Sequence, residues 1–198
     1  MMKQWMRAGC LVIALVLTVR AAPYIGYVYP ASAQQGTTIR LLVGGQGMGG
    51  VKFGIVSGTG VQVRGVEVVP NFPNASKTQR RWLMSSLEAL EKGKGGVAPL
   101  PSEKERAEWR RNPWWERLGE LDDFQRNLVL RDLLAVRNAL QRAPSIQQKA
   151  IVTLEVAPDA EPGMREIRLW SPNAGVSVPR RFLVTAAPHQ PEPRYIAK

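Results

Sequence analysis

The chain has 198 residues, with 27 Lys and Arg against 16 Asp and Glu, one His and one Cys. A single Cys excludes a disulfide scaffold and a thiolate zinc site, and a single His disfavours a histidine-based metal or catalytic centre. The formal net charge of +11 raises nucleic acid, an acidic polymer or a membrane surface as partners, and the placement of the charges decides among them.

The first residues have the pattern of a secretory signal. Lys3 and Arg7 precede the apolar run Cys10–Val19, which leads into Arg20, Ala21 and Ala22. Ten residues rise about 15 Å as a helix, half a bilayer core, so the run is too short for a transmembrane span. Cleavage fits after Ala21 or Ala22, and Ala31-Ser32-Ala33 also has the small-x-small form. Cys10 opens the apolar run instead of following it, which argues against a lipid anchor. The expected location is exported, periplasmic or extracellular.

Residues 24–70 read as β. Tyr24–Tyr29 is aromatic and β-branched and ends at Pro30, and Thr37–Val43 follows Gly36. Val51, Phe53 and Ile55 alternate and are expected on one face. Val61–Val63 and Val66–Val68 alternate around Arg64-Gly65, where a bulge would fit. Residues 75–143 read as α. Ser76 with Gln79 has capping-box spacing, Leu83, Leu87 and Leu90 make a helical stripe, and Gly93 stops it. Ser102 with Glu105 repeats the box, and Asn112-Pro113 is a cap followed by Pro at the first helical position. A last helix starts near Asp122, with Val129, Leu133, Val136 and Leu140 on one face, widened by Leu130 and Leu134, and Pro144 stops it. Residues 150–184 return to β, over Ile151–Val156, Met164–Trp170 and Arg181–Val184.

Neither β half alone buries two faces. Together they make one sandwich, so the expected fold is mainly β: an immunoglobulin-like β-sandwich of about seven strands with an α-helical insertion. The domain plan is a signal peptide over 1–21, a discontinuous sandwich over 22–74 and 146–187, a helical insertion over 75–145 and a Pro-rich linker over 188–198.

Tyr27–Pro30, Gln34–Thr38 and Val43–Met48 resemble the opening of IPT/TIG immunoglobulin-like domains. There a Pro and a Gly-Thr precede a strand and a Gly-rich turn. Met48 holds the apolar place that Leu or Phe often takes. Residues Ala157–Leu169, then Ser171-Pro172, Gly175–Ser177 and Arg181–Val184, are similar to exported planctomycete-type proteins. In those a sandwich of this kind precedes bacterial pre-peptidase C-terminal domains. The resemblance implies an extracytoplasmic accessory or interaction module with no catalytic residues to transfer, in a chain that usually continues beyond such a tail. The residues carry their own physics: in Asp159–Gly163, Asp bonds nearby backbone, Pro fixes φ and Gly permits a positive φ, a turn from one sheet to the other.

Candidate chemistry is thin. Gly45–Gly50 matches G-x-G-x-x-G after a strand, but a dinucleotide site needs a helix next, and Val51–Ile55 alternates as a strand. His189 lies in the Pro-rich tail, where nothing fixes its tautomer. Asp122-Asp123 lacks further carboxylates at ligand spacing and reads as a helix cap. Glu88 and Glu91 flank a leucine stripe and read as solvated helix rather than a glycosidase pair. Asn74-Ala75-Ser76 is a glycosylation sequon or a helix start. No catalytic, metal or cofactor-binding residue is assigned.

Trp109, Arg110, Arg111, Trp114, Trp115 and Arg117 form the densest cluster, three Trp and three Arg within nine residues. Such residues dominate interface hot spots and stack on sugars and bases. The same rings could instead clamp the insertion onto the sandwich, with the arginines reaching outward. Residues 75–150 hold 15 basic and 10 acidic side chains, residues 1–21 hold three basic, and no run of five like charges occurs. That spread disfavours nucleic acid. The reading is a non-catalytic exported module for protein–protein or cell-envelope contact. The alternatives are an accessory domain of a secreted hydrolase or peptidase, or a binder of acidic polysaccharide through the Trp/Arg segment.

Overall fold

A computed structural model describes residues 21–70, 77–93, 113–134 and 143–188. The expected signal, the sequon at Asn74, the caps at Ser76, Ser102 and Asn112, the residues Val136 and Leu140, and His189 lie outside them. Among the described residues, no helix is long and apolar enough to cross a membrane.

Among the described residues, nine strands form two sheets: β1 (Tyr24–Tyr29), β2 (Ser32–Gln34), β3 (Thr38–Gln46), β4 (Phe53–Val56), β5 (Val61–Val69), β6 (Gln148–Val156), β7 (Gly163–Ser171), β8 (Gly175–Val176) and β9 (Arg180–Thr185). The first sheet has the order β1-β3-β6-β5 and the second β2-β9-β7-β4, with β8 beside β7. In immunoglobulin lettering these are A-B-E-D and A′-G-F-C, the arrangement of an immunoglobulin-type sandwich. The pairs β1–β3, β3–β6, β4–β7, β7–β8 and β7–β9 are antiparallel, and β2 runs parallel to β9, Ala33 opposite Val184. The chain crosses between sheets after β1, so β1 is an edge strand of the first sheet and β2 an edge strand of the second.

The core lies between the sheets, where Leu41, Val43, Val152, Leu154, Ile167, Leu169, Phe182 and Val184 interdigitate at period two. Each such side chain contributes roughly 1.5–3 kcal/mol by leaving water. β3 is buried on both faces: Leu41 and Val43 face the core, while Leu42, opposite Ile151 on β6, is buried on the other side. In β5 the inward set changes parity, from Val61 and Val63 to Val66 and Val68, with Arg64 and Gly65 both exposed between them. One extra residue in the strand produces that change, as in a bulge.

Two expectations need correction. Val51, Phe53 and Ile55 do not share a buried face: Val51 is in the core, but Phe53 and Ile55 point to solvent. Gly54 and Val56 take the inner side of β4, and Val63 lies over Gly54, its methyls 3.5 Å from where a Cβ would stand. Gly44 and Gly45 are not a reversal. Both lie in β3, where a Cβ at Gly44 would meet the Tyr27 ring at 2.0 Å and one at Gly45 the Tyr24 carbonyl at 1.7 Å. The reversal comes at Gly47 (φ 68°) and a single 3-10 turn, Met48–Gly50, after which β4 begins. No helix follows the glycines, so the pyrophosphate cradle of a dinucleotide site does not form.

The chain forms two compact units. Among the described residues, one holds 21–68 and 144–188, the sandwich, and the other those of 69–143. The second contains α1 (Lys77–Glu91), α2 (Pro113–Glu116) and α3 (Asp123–Leu134). Leu83 and Leu87 of α1 are buried, and the helix ends where the Gly93 amide bonds the Leu90 carbonyl at φ 63°. The α3 entry is a reciprocal cap: Gln125 N–H donates to Asp122 Oδ1 at 3.0 Å, and Asp122 N–H donates to Gln125 Oε1 at 3.2 Å. Leu128 and Val129 form the buried side of α3.

Candidate interaction face

The Trp/Arg cluster is only partly placed. Trp109, Arg110 and Arg111 lie outside the described residues. Trp114 is 1% exposed and Trp115 6%, in α2, with Leu118 and Leu121 buried just beyond. Buried rings of this kind pack, and they present no stacking surface to a partner. Arg117 is exposed. Asp122 and Asp123 belong to the helix start described above. Among the described residues, no three His, Cys, Asp or Glu side chains gather as a metal site.

A different surface stands out, on the outer side of the second sheet. Period two in β7 sends Ile167, Leu169 and Ser171 inward and Met164, Glu166, Arg168 and Trp170 outward. Register then sets the cross-strand rows. Phe53 of β4, Trp170 of β7 and Val176 of β8 form the first row. Ile55 beside Arg168 forms the second, Glu166 beside Arg181 the third, and Met164 beside Leu183 the fourth.

The first row holds the aromatic pair. The Phe53 and Trp170 rings stack with centroids 4.6 Å apart and planes 24° apart. Phe53 is 45% exposed even so, and Ile55, Met164, Val176 and Leu183 are exposed too. On the strands of the first sheet, Tyr24 at the start of β1 is the exposed large apolar side chain among the described residues. The two outer surfaces therefore differ: one buries Leu42 and Ile151, the other leaves an apolar set in water.

Charge sits in the middle of this face. Glu166 lies between two guanidinium groups, 3.5 Å from Arg168 Nη2 and 3.9 Å from Arg181 Nε. The backbone here is held independently of those charges, since Glu166 N–H donates to Ser57 Oγ at 2.8 Å and Leu169 N–H to Ser177 Oγ at 2.9 Å. The Ser177 hydroxyl in turn donates to the Val178 carbonyl at 2.9 Å. The face is thus a fixed, shallow platform of apolar side chains with arginines at its centre.

Sequence reasoning missed this surface, although its signal was present. Met164-x-Glu166-x-Arg168-x-Trp170 is the outward half of an alternating strand, with two large apolar residues where solvent-facing strands usually carry small polar ones. No family model and no curated protein matches the chain.

Proposed function

We propose that this chain is a non-catalytic binding module of exported immunoglobulin-like type, related to IPT/TIG domains, that works in protein–protein or cell-envelope contact through the outer face of β4, β7, β8 and β9. The observation that carries this reading is the outward row Phe53–Trp170–Val176, in which Phe53 and Val176 are exposed, with Ile55 next to it and Met164 and Leu183 exposed beyond the central charges. Monomeric soluble proteins keep large contiguous apolar patches off their surfaces, and such patches mark interaction sites. Aromatic and Arg side chains at the centre of a rigid sheet also match the composition of interface hot spots. Export is supported by the basic and apolar start of the sequence.

Photocrosslinking in the producing cell tests the proposal. A benzophenone side chain at Ile55 or Leu183 is expected to give discrete crosslinked products. The same group at Thr38 or Glu155, exposed on the first sheet, is expected to give none. Equal crosslinking from both sheets, or from neither, would overturn the assignment of this face.

A further inference from the structure

We infer that this chain forms a two-fold symmetric dimer by antiparallel pairing of β4 with β4 of a second copy, centred on Ile55. The inference goes beyond the binding face, since it concerns the edge of the second sheet and not its outer side.

The first sheet ends at β1 and β5, the second at β2 and β4. Three of these edges carry features that oppose strand addition. β1 breaks register between Ile25 and Tyr27, β5 carries Arg64 and Glu67 around its change of parity, and β2 is three residues long. β4 reads Phe53-Gly54-Ile55-Val56, with no charge, no Pro and no break in its pairing with β7.

Hydrogen bonding identifies the free groups. Ser57 N–H donates to the Glu166 carbonyl at 2.9 Å, so the main chain of Ser57 faces β7, and by alternation that of Ile55 and Phe53 does too. Leu169, opposite Gly54, uses its main chain on the far side: its N–H donates to Ser177 Oγ at 2.9 Å, and its carbonyl accepts the Ser177 N–H at 2.8 Å. Gly54 and Val56 therefore direct N–H and C=O away from the sheet, and among the described residues neither has a main-chain partner there. The window closes on both sides. Lys52 N–H turns inward to the Trp170 carbonyl at 2.9 Å, and Gly58 leaves the strand at φ 80°.

That window selects its occupant. Free groups at the two positions flanking Ile55 match themselves under a two-fold axis through Ile55. Gly54 pairs with Val56 of the second copy and Val56 with its Gly54, so every free main-chain group on both edges is satisfied. On the outer side Ile55 meets Ile55, and Phe53 meets Ser57, at side chains that are 43% exposed for Ile55 and 45% for Phe53. Like charges do not meet across the pair: β4 has none, the two Lys52 lie at opposite ends of the paired segment, and Arg168 is one strand further in, 3.5 Å from Glu166. An extended peptide gains no more bonds from so short an edge, and it loses the chain entropy of every residue it orders. A strand already held in a sandwich does not bear that cost. Two-fold contacts of one patch with itself are also the commonest form of closed assembly.

Sedimentation equilibrium of the full chain over a concentration series tests the dimer. Ile55→Lys, at an exposed position, sets two ammonium groups opposite each other and is expected to raise the dissociation constant on the order of a hundredfold. Single cysteines in a Cys10→Ser background test the register. Ile55→Cys is expected to give a disulfide-linked dimer on mild oxidation, because facing residues of a non-hydrogen-bonded pair have Cα atoms about 4.5 Å apart. Leu183→Cys, on the same outer face, and Thr38→Cys, on the first sheet, are expected to stay monomeric under the same oxidation.

A chain that is monomeric at every concentration, a dimer that Ile55→Lys leaves intact, equal linkage at the three cysteine positions, or linkage through Leu183→Cys alone would each overturn the β4 pairing. Photocrosslinks from Leu183 judge the binding face independently, because β9 lies across β7 from β4. A monomer that still crosslinks from Leu183 leaves the binding module standing and removes the dimer.

Discussion

Gly60 and Ala160 touch at the limit of backbone approach: a Cβ at position 60 would stand 2.6 Å from the Ala160 Cβ and 2.7 Å from its Cα. The contact joins the loop before β5 to the loop after β6. It is closed by the Ala157 amide on the Gly60 carbonyl at 2.7 Å. Gln35 extends the same junction by donating from Nε2 to the Ala160 carbonyl at 2.6 Å.

Gly60→Ala is therefore expected to destabilise the sandwich by roughly 2–4 kcal/mol. Strain at φ 77° adds to a clash with backbone atoms that cannot swing away. Gly65→Ala, where nothing lies within 4 Å of the new methyl, should change stability by less than about 0.5 kcal/mol. Urea unfolding of the two variants measures the difference, and similar midpoints would refute it.

Trp114→Ala should cost about 3–5 kcal/mol, since a fully buried indole leaves a large cavity. Phe53→Ala should cost only about 1 kcal/mol, the worth of one cross-strand aromatic contact at an exposed site. Thermal unfolding followed by far-UV circular dichroism is expected to show early loss of the helical signal in the first variant. In the second it should be near wild type.

Ser86 is buried in α1, and among the described residues its hydroxyl has no hydrogen-bond partner. Removing the hydroxyl releases a desolvated polar atom. Ser86→Ala is accordingly expected to leave stability unchanged or raise it by about 1 kcal/mol. A clear fall in the denaturant midpoint would mean that the hydroxyl is satisfied.

Arg64 of β5 and Glu155 of β6 form an exposed ion pair. The hydrogen bond from Arg64, then its charge, holds the Glu155 carboxyl below the ordinary carboxylate range. A carboxyl depressed on folding stabilises the native state above its unfolded pKa, and that stabilisation is lost as pH falls through the folded value. Glu155→Gln should lower the Tm slightly at neutral pH. The gap should close as pH drops through and below the usual carboxylate range, and should close at neutral pH in about 1 M salt. A gap that persists at low pH would assign the effect to packing.

The helical stripe of Leu83 and Leu87, the stop at Gly93 and the start at Asp122 were legible because helix signals are local: a four-residue spacing, a positive-φ glycine, a side-chain cap. The long strands were legible for the same reason, as alternation is a property of the strand itself. The short strands β2 and β8 were not, because two or three residues carry no period, and they exist only through pairing with β9 and β7.

The candidate site divides along the same line. The residue types, the alternation in Met164–Trp170 and the sandwich class belong to the sequence alone. Which side of β4 faces water does not. Alternation gives Val51, Phe53 and Ile55 and the set with Gly54 equal claim to the core, and apolar size favours the wrong one. The outcome turns on Val63, which reaches across the sandwich onto Gly54 and leaves Phe53 to stack outside on Trp170. Likewise, Gly44 reads as a turn until the Tyr27 ring occupies the space its side chain would need. Local chemistry sets each element, but the choice between two faces of equal period depends on the volume left by residues far away in the chain, and only tertiary packing decides it.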